Sequence, residues 1–170
     1  METIKTIIAA ILVSISSCGS KSNGGDFVKD NVSFSYASGW SITEQEDYGE
    51  SGYYLSVEKK GFDESGLMTV TWINAIRDSM DYLEIIQQEY RKQKLLKNLE
   101  FAPIRKSTFN GMPSLSCDFK FKTIGVGHNG TIYVFLKGGK TYSIIRQEAL
   151  EDVSKNKEGF ELLESSFKVE

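Results

Sequence analysis

The sequence predicts an α+β fold, a largely antiparallel β-sheet flanked by helices. Short turn signals separate successive runs of alternating or β-branched residues, which is typical of strands that pair with their neighbours along the chain. A segment in the middle of the chain and another near its end change to helical periodicity. The run 131–136 has almost no polar alternation, so we expect a strand covered on both faces. Helices on both sides of one sheet would form a helix–sheet–helix sandwich.

Composition and length indicate one globular domain. The chain has 170 residues and a formal net charge of −3, and this charge gives no electrostatic footprint for nucleic acid. We therefore expect no DNA or RNA partner. The chain has two cysteines, Cys18 and Cys117. Cys117 lies on the apolar side of an alternating run, which predicts a buried, unreactive thiol.

The first eighteen residues have the layout of a secretory signal. An apolar run at 7–15 follows Lys5 and is shorter than the ~20 residues that a membrane-spanning helix needs. A cleaved signal peptide at 1–17 fits better. The small residues before Cys18 resemble the cleavage box of bacterial lipoproteins. This resemblance implies that Cys18 carries a diacylglycerol thioether and an amide-linked acyl chain such as palmitate. The alternative is an ordinary signal with a chance cysteine.

This resemblance also predicts where the protein is found. We expect a lipid anchor in the bacterial cell envelope, at the outer membrane, with the domain facing either the periplasm or the outside. Residues 19–30 are rich in Gly, Ser and Asn and lack periodicity, which predicts a flexible tether after the lipidated cysteine. The domain itself is predicted at 31–170.

Period-two alternation predicts four strands before the middle helix. They lie at 32–36, 40–43, 53–59 and 67–73, with a tight turn at Ser38 and Gly39 between the first two. The segment 79–98 then predicts an amphipathic helix that Asp78 or Ser79 can cap. The apolar face of this helix contains Met80, Leu83, Ile86 and Tyr90.

The second half of the chain predicts a meander of antiparallel strands and a closing helix. Corners are predicted at Asn110 and Gly111, at Asn129 and Gly130, and at Gly138 and Gly139, since these residues tolerate the positive φ of tight hairpin turns. The strands between the corners lie at 104–109, 112–124, 131–136 and 140–147, and the clearest part of the closing helix lies at 157–165.

Three short motifs resemble the PsbP-like family. They are Val-Ser-Phe-Ser-Tyr-Ala-Ser-Gly-Trp at 32–40, Asn-Gly-Met-Pro at 110–113, and Phe-x-x-Leu-x-x-Ser-Phe at 160–167. The family includes the extrinsic PsbP subunit of photosystem II, a Ran-binding nuclear-import cofactor and many bacterial lipoproteins. Its usual first turn has Pro where this chain has Ala37. The resemblance implies an α/β/α sandwich and an accessory or binding role, and it supplies no catalytic residues.

Two patterns that suggest catalysis or nucleotide binding have simpler explanations. The run 125–130 spells G-x-G-x-x-G, but a dinucleotide-binding motif needs a helix directly after it, and β-branched residues follow here. We interpret the run as a hairpin corner. His128, the one histidine of the chain, lies in this run and is expected to be exposed on a turn.

Acidic, basic and aromatic residues supply the remaining candidate sites. Glu44, Glu46, Asp47 and Glu50 offer oxygen ligands for calcium but lack the spacing of a calcium loop, so a solvated loop is the simpler interpretation. Arg91, Lys92, Lys94 and Lys97 could contact anionic headgroups, but the end of a helix already favours cations. Tyr48, Tyr53 and Tyr54 are candidates for a contact surface, whereas Trp40 and Trp72 are expected in the core.

These observations favour a non-enzymatic accessory lipoprotein that binds another envelope protein. The alternative is a small-ligand or calcium binder that uses the segment 48–54. An enzyme is least favoured, because the sequence has few of the residue types that act as nucleophile or base. We predict no catalytic residue, cofactor or metal ligand.

Overall fold

A computed structural model describes residues 24–61 and 64–170. The predicted signal peptide, Cys18 and the start of the predicted tether lie outside the described residues. No helix within the described ranges is both long and apolar enough to cross a membrane.

The described chain is mainly β-structure with two α-helices. The strands are β1 Gly25–Lys29, β2 Val32–Tyr36, β3 Trp40–Asp47, β4 Gly52–Lys59, β5 Leu67–Ile73, β6 Lys97–Phe101, β7 Arg105–Phe109, β8 Met112–Thr123, β9 Val126–Lys137, β10 Lys140–Ala149 and β11 Lys168–Val169. The helices are α1 Ser79–Lys92 and α2 Val153–Ser166, and short 3₁₀ turns lie at Gly49–Ser51 and Leu150–Asp152.

The strands form one large and one small antiparallel sheet. The large sheet has eight strands in the order β3-β4-β5-β10-β9-β8-β6, with β7 also pairing with β8. The pairs β7–β8, β8–β9 and β9–β10 form as the turn signals predict, and β10 joins the two halves by pairing with β5. Strands β2 and β3, on either side of the turn at Ser38 and Gly39, lie in different sheets and do not pair with each other. The small sheet has the order β1-β2-β11. The predicted α+β class is confirmed.

The large sheet is covered on both faces, as the sandwich prediction requires. We call the apolar layer beneath α2 and the small sheet the aromatic core; it contains Phe34, Trp40, Tyr53, Trp72, Phe135, Tyr142, Phe160 and Phe167. The layer beneath α1 is called the α1 core; it contains Tyr82, Leu83, Ile86, Tyr90, Cys117, Phe119, Ile132 and Val134. Gly159 on α2 allows close contact with Trp40, because a Cβ at this position would collide with the indole ring.

Helix α1 starts where predicted and ends earlier. The side chain of Asp78 caps it by accepting hydrogen bonds from the backbone N–H groups of Met80 (2.9 Å) and Asp81 (3.1 Å). The prediction that Met80 faces the core was wrong, since its side chain is 40% exposed and Tyr82 is buried instead.

The predicted extension of this helix to residue 98 was also wrong. After Lys92 the chain turns, and residues Lys97–Phe101 form strand β6 on the edge of the sheet beside β8. Asn98 has a φ of 54°, which a helix cannot contain. Leu96, Leu99 and Phe101 pack against the α1 core from this new direction. Tertiary packing therefore overrides the helical pattern.

The predicted tether includes residues that belong to the folded body. Residues Gly25–Lys29 form β1 and pair with β2, so the prediction of a flexible segment up to residue 30 was wrong in this part. Phe27 explains the difference: its ring is buried and stacks on Phe34 at 5.0 Å between ring centroids. Two adjacent apolar residues, Phe27 and Val28, among polar residues and glycines were too weak a signal for a strand.

Two of the three predicted hairpin corners are confirmed. Asn110 and Gly111 have φ values of 43° and 77°, and Gly138 and Gly139 have φ values of 56° and 79°. The third corner lies at Ile124 and Gly125, five residues before the predicted position. Asn129 and Gly130 are paired residues of β9. Gly130 is needed there because the ring of Phe119 occupies the space of its missing side chain.

Candidate functional site

The candidate site is built on β3, the edge strand of the large sheet. The acidic residues predicted in a solvated loop instead continue this strand as far as Asp47, with Glu50 in the 3₁₀ turn that follows. A bulge between Ile42 and Glu44 shifts the register with β4. Bulges and charges are typical of sheet edges, where they discourage unspecific strand pairing. We call Glu44, Glu46, Asp47, Tyr48 and Tyr54 the acidic edge.

Strand alternation separates the carboxylates of this edge onto two faces. Glu44 and Glu46 point to the α1 side of the sheet, where they accept hydrogen bonds from the hydroxyls of Tyr54 (3.2 Å) and Tyr48 (2.6 Å). Asp47 points to the opposite side and pairs with Lys29 at 2.9 Å. The hydrogen bonds from Lys29 and from the backbone N–H of Gly49 lower the pKa of Asp47.

Tyr48 and Tyr54 share the α1 side of the sheet. Burial, with the adjacent Glu46, raises the pKa of Tyr48 well above the usual range, and burial also raises that of Tyr54. Both hydroxyls therefore stay protonated at neutral pH and can donate hydrogen bonds. The Tyr54 hydroxyl also shares a 2.6 Å hydrogen bond with that of Ser56.

Tyr53 lies in the aromatic core, on the other face from Tyr48 and Tyr54. Its ring stacks on Trp72 with a centroid distance of 4.8 Å, and its hydroxyl donates to Gln45 at 2.9 Å. Of the three tyrosines predicted to form a contact surface only Tyr48 is partly exposed, because Tyr53 and Tyr54 are buried on opposite faces of the sheet. Trp40 and Trp72 are buried, as expected.

Beside the acidic edge the α1 side of the sheet is polar. Thr69 and Thr71 on β5 are 1% and 0% exposed, and their hydroxyls have no hydrogen-bond partner among the described residues. Both point to the same side as Tyr54 and Ser56, with which they pair in register. Sequence reasoning missed this polar strip, although the alternation of threonine with apolar residues in Leu-Met-Thr-Val-Thr-Trp-Ile contains the signal.

The described residues bring no three Asp, Glu, His or Cys side chains into an arrangement that could hold a metal ion. For the acidic edge the reason is geometric, because alternation turns Asp47 away from Glu44 and Glu46 and Lys29 neutralises it. The calcium alternative therefore has no assembled site within this part of the chain.

Cys117 and His128 do not meet. Cys117 is buried on β8, where its thiol contacts the carbonyl of Ala102 (3.1 Å) and accepts from the amide of Gln87 (3.2 Å). Burial raises the pKa of the thiol and disfavours the reactive thiolate. His128 pairs in register with Phe121, four residues further along β8, which separates it from the thiol by about 13 Å.

His128 is not the exposed turn residue that was predicted. It lies within β9, is half-buried, and stacks on the ring of Phe121 at 4.9 Å. Burial lowers the pKa of its imidazole. The glycine-rich run around it is followed by the remainder of β9, so the helix that a dinucleotide-binding motif requires does not follow.

Comparisons with solved structures identify the fold. PsbP from Synechocystis sp. PCC 6803 (CyanoP) superposes with a TM-score of 0.57 at 14% identity, over 92% of this chain and 99% of that protein. LpqN of Mycobacterium tuberculosis, described as involved in cell envelope biogenesis, superposes with a TM-score of 0.54 at 8% identity, over 81% of this chain and 82% of LpqN.

A further protein, from Bacteroides thetaiotaomicron VPI-5482, matches with a TM-score of 0.57 at 12% identity. This match spans 88% of the chain and about half (49%) of that protein. No family model matches the sequence, and a search of curated proteins finds no match. At these identities the likeness concerns the fold alone, and the fold is PsbP-like.

Proposed function

From this PsbP-like fold, we propose that the chain is a lipid-anchored accessory protein of the bacterial cell envelope that binds a partner protein and catalyses no reaction. The anchor is Cys18 at the outer membrane, and the contact surface is the acidic edge. The partner presents a basic surface or strand to this edge.

The charge of the acidic edge is the observation that carries the proposal. Among the described residues no cation forms an ion pair with Glu44, Glu46 or Glu50, whereas Asp47 is paired with Lys29. The edge also offers the outer backbone groups of β3 and the partly exposed Tyr48, a residue type enriched where proteins bind one another, whereas Tyr54 is buried. Electrostatic complementarity of this kind selects partners and speeds their association.

Two further observations support the non-enzymatic role and the place in the envelope. The usual candidates for nucleophile and base, Cys117 and His128, are separated along the sheet, and the thiol is buried. PsbP and LpqN share the fold, and LpqN is described as involved in cell envelope biogenesis, which supports a place in the envelope for this chain.

A pull-down from membranes tests the proposed contact. The lipidated protein is recovered with its partners from detergent-solubilised membranes and compared with the double variant Glu44→Lys, Glu46→Lys. We expect a defined partner with the native chain and its loss with the variant. Binding should also weaken as the salt concentration rises.

The matched control reverses two charges elsewhere. Glu158 and Glu161 lie on the exposed side of α2, so Glu158→Lys, Glu161→Lys changes the net charge equally and leaves the acidic edge intact. The control should retain the partner. Recovery of the same partner with both variants would show that the acidic edge is not the contact surface. Repeated recovery of no partner would contradict the accessory role itself.

A further inference from the structure

One end of the large sheet lies next to the exit of the tether. Gly24, the first described residue, lies against the backbone of Tyr36 and Ser38, just before β3 starts at Trp40. The strand pairing places the ends of the other strands at the same edge of the sheet. The residue pairs that show this are Trp40 with Lys59 (β3 and β4), Leu67 with Gln147 (β5 and β10), and His128 with Ala149 (β9 and β10). The β8–β9 hairpin therefore turns at this end, which we call the tether end.

The β8–β9 hairpin projects beyond its neighbour and carries an exposed apolar residue. The last residue of β10 is Ala149, which pairs with His128, so the turn at Ile124 and Gly125 extends past it. Ile124 is 98% exposed and has a φ of 50°. A β-branched residue in this conformation is a strained outlier, and such strain is concentrated at functional positions. Val126 beside it is also exposed.

Unpaired lysines lie beside this apolar hairpin tip. Lys97 on β6 lies directly opposite Lys122 on β8, and like charges in this arrangement repel. Neither of them, nor Lys94, forms an ion pair in the described parts of the chain. Since α1 ends at Lys92 and Lys97 lies on β6, a helix end no longer explains Lys97. Leu95 between them is 70% exposed.

The acidic groups near the tip are mostly neutralised. Glu100 pairs with Lys120 at 3.0 Å, and Asp152 pairs with Lys155 at 2.8 Å. Glu151 forms no ion pair within the described ranges, but it is outnumbered by the three unpaired lysines, so this part of the surface keeps a positive charge. An exposed apolar tip with cations beside it has the chemistry of a contact with an anionic membrane surface.

We propose that this basic-apolar tip, formed by Lys94, Leu95, Lys97, Lys122, Ile124 and Val126, docks on an anionic lipid bilayer. The proposal rests on the lipid anchor of the proposed function. The six residues from Cys18 to Gly24 span at most about 20 Å, which keeps the tether end close to the headgroups. Docking would fix the orientation of the domain and leave the acidic edge open to a protein partner.

Depth-dependent quenching tests this orientation. The acylated protein with Ile124→Cys is labelled with an environment-sensitive dye and reconstituted into phosphatidylglycerol-containing vesicles that carry a spin-labelled lipid. Cys117 is buried and Cys18 is acylated, so the label is confined to position 124. The matched control carries the label at Lys137→Cys, on the β9–β10 hairpin at the other end of the sheet. We expect lipid quenching at 124 and none at 137.

Charge removal gives a quantitative result. Each basic residue near an anionic surface changes the ratio of docked to undocked protein by about fivefold, so Lys94→Gln, Lys97→Gln, Lys122→Gln should lower it on the order of a hundredfold. Vesicles of phosphatidylcholine alone should reproduce most of this loss. Because all three lysines are exposed, these variants should keep the native far-ultraviolet dichroism spectrum.

The contrary results separate the two proposals. A purified chain whose mass contains no acyl group would overturn the lipid anchor and the docked tip together. An acylated chain whose label at 124 is no better quenched than that at 137 would overturn the docked tip alone, and would leave this apolar surface for a protein partner.

Discussion

Consecutive residues of β5 point into two different environments. The comparison shows which face of the sheet contributes most of the free energy of unfolding. Met68, Val70 and Trp72 point into the aromatic core. Thr69 and Thr71 point to the polar strip on the α1 side, where their buried hydroxyls have no described partner. The face towards the aromatic core is closely packed, and its stability depends on the complementary shapes of apolar side chains. The two threonine hydroxyls on the other face add little free energy of stabilisation, because they form no described hydrogen bond.

Stacked rings make the aromatic core a continuous layer. Trp72 lies between Tyr53 at 4.8 Å and Tyr142 at 6.5 Å, and Tyr142 in turn stacks on Phe135 at 5.1 Å. Substitutions in this layer should therefore cost far more free energy than substitutions of equal size on the polar strip. Trp72→Ala and Thr71→Val test this contrast directly, and Asp152→Ala and Ile124→Asn extend it to a buried polar anchor and a strained turn. The four variants are taken from the largest expected effect to the smallest.

Trp72→Ala should give the largest loss. Its side chain is fully buried, and removing it takes away the ring contacts and leaves a cavity, which costs about 3–5 kcal/mol of unfolding free energy. Urea denaturation followed by circular dichroism measures the change. A loss below about 1 kcal/mol would show that the aromatic core does not dominate stability.

Asp152→Ala tests a polar anchor beside the aromatic core. The carboxylate of Asp152 accepts hydrogen bonds from the backbone N–H (2.9 Å) and hydroxyl (2.8 Å) of Ser65 and pairs with Lys155 at 2.8 Å. Leaving the Ser65 groups without an acceptor should cost about 1–3 kcal/mol. Glu151→Ala, at an exposed neighbouring position, is the control and should change stability little.

The same carboxylate predicts a dependence on pH. The hydrogen bond from Lys155, followed by those from Ser65, lowers the pKa of Asp152 below its ordinary value of 3.8 in the folded state. The stabilisation is therefore present above the ordinary value and is lost as the pH falls through the folded-state pKa. The native protein should lose more stability on acidification below 3.8 than Asp152→Ala does. Parallel curves for the two proteins would contradict this role.

Ile124→Asn should stabilise the protein by about 1 kcal/mol, because asparagine tolerates the left-handed conformation that strains isoleucine. Val126→Asn is the control, since Val126 is an exposed strand residue outside the turn. Thermal unfolding of the two variants gives the comparison. Destabilisation by Ile124→Asn would mean that the exposed side chain contributes to folding and is not retained for another role.

Thr71→Val should have the smallest effect. Valine matches threonine in shape, and the buried hydroxyl that it removes has no described partner, so stability should rise by about 0.5 kcal/mol or stay unchanged. Measured beside Trp72→Ala, this variant compares adjacent residues on opposite faces. A loss above about 1 kcal/mol would show that the hydroxyl makes a hydrogen bond in solution.

The sequence predicts the parts of this fold that depend on local chemistry. Asn110 with Gly111 and Gly138 with Gly139 identified their turns because positive φ restricts the choice of residue. The corner at Ile124 was missed for the same reason, since an isoleucine there contradicts the local preference. The end of α1 and the strand β1 were missed because long-range packing of residues such as Phe27 and Phe101 determines them.

The candidate site was predicted in composition but not in arrangement. Its acidic residues and Tyr48 and Tyr54 were identified from the sequence, whereas their division between two faces follows from the length of β3 and from its bulge. Tyr53 and Tyr54 are neighbours that point to opposite faces of β4, and both are buried because the sheet is covered on both faces, which the local sequence around them does not reveal.

The contact between Gly159 and Trp40 has a consequence for the motion of α2. Because the indole fills the position of the absent side chain, we expect sliding or rolling of the helix at Gly159 to require displacement of the ring. Helix α2 is thereby held against the start of β3, and we expect the sheet and this helix to move as one unit. Even an alanine at position 159 would displace the Trp40 ring and weaken the contact between α2 and β3.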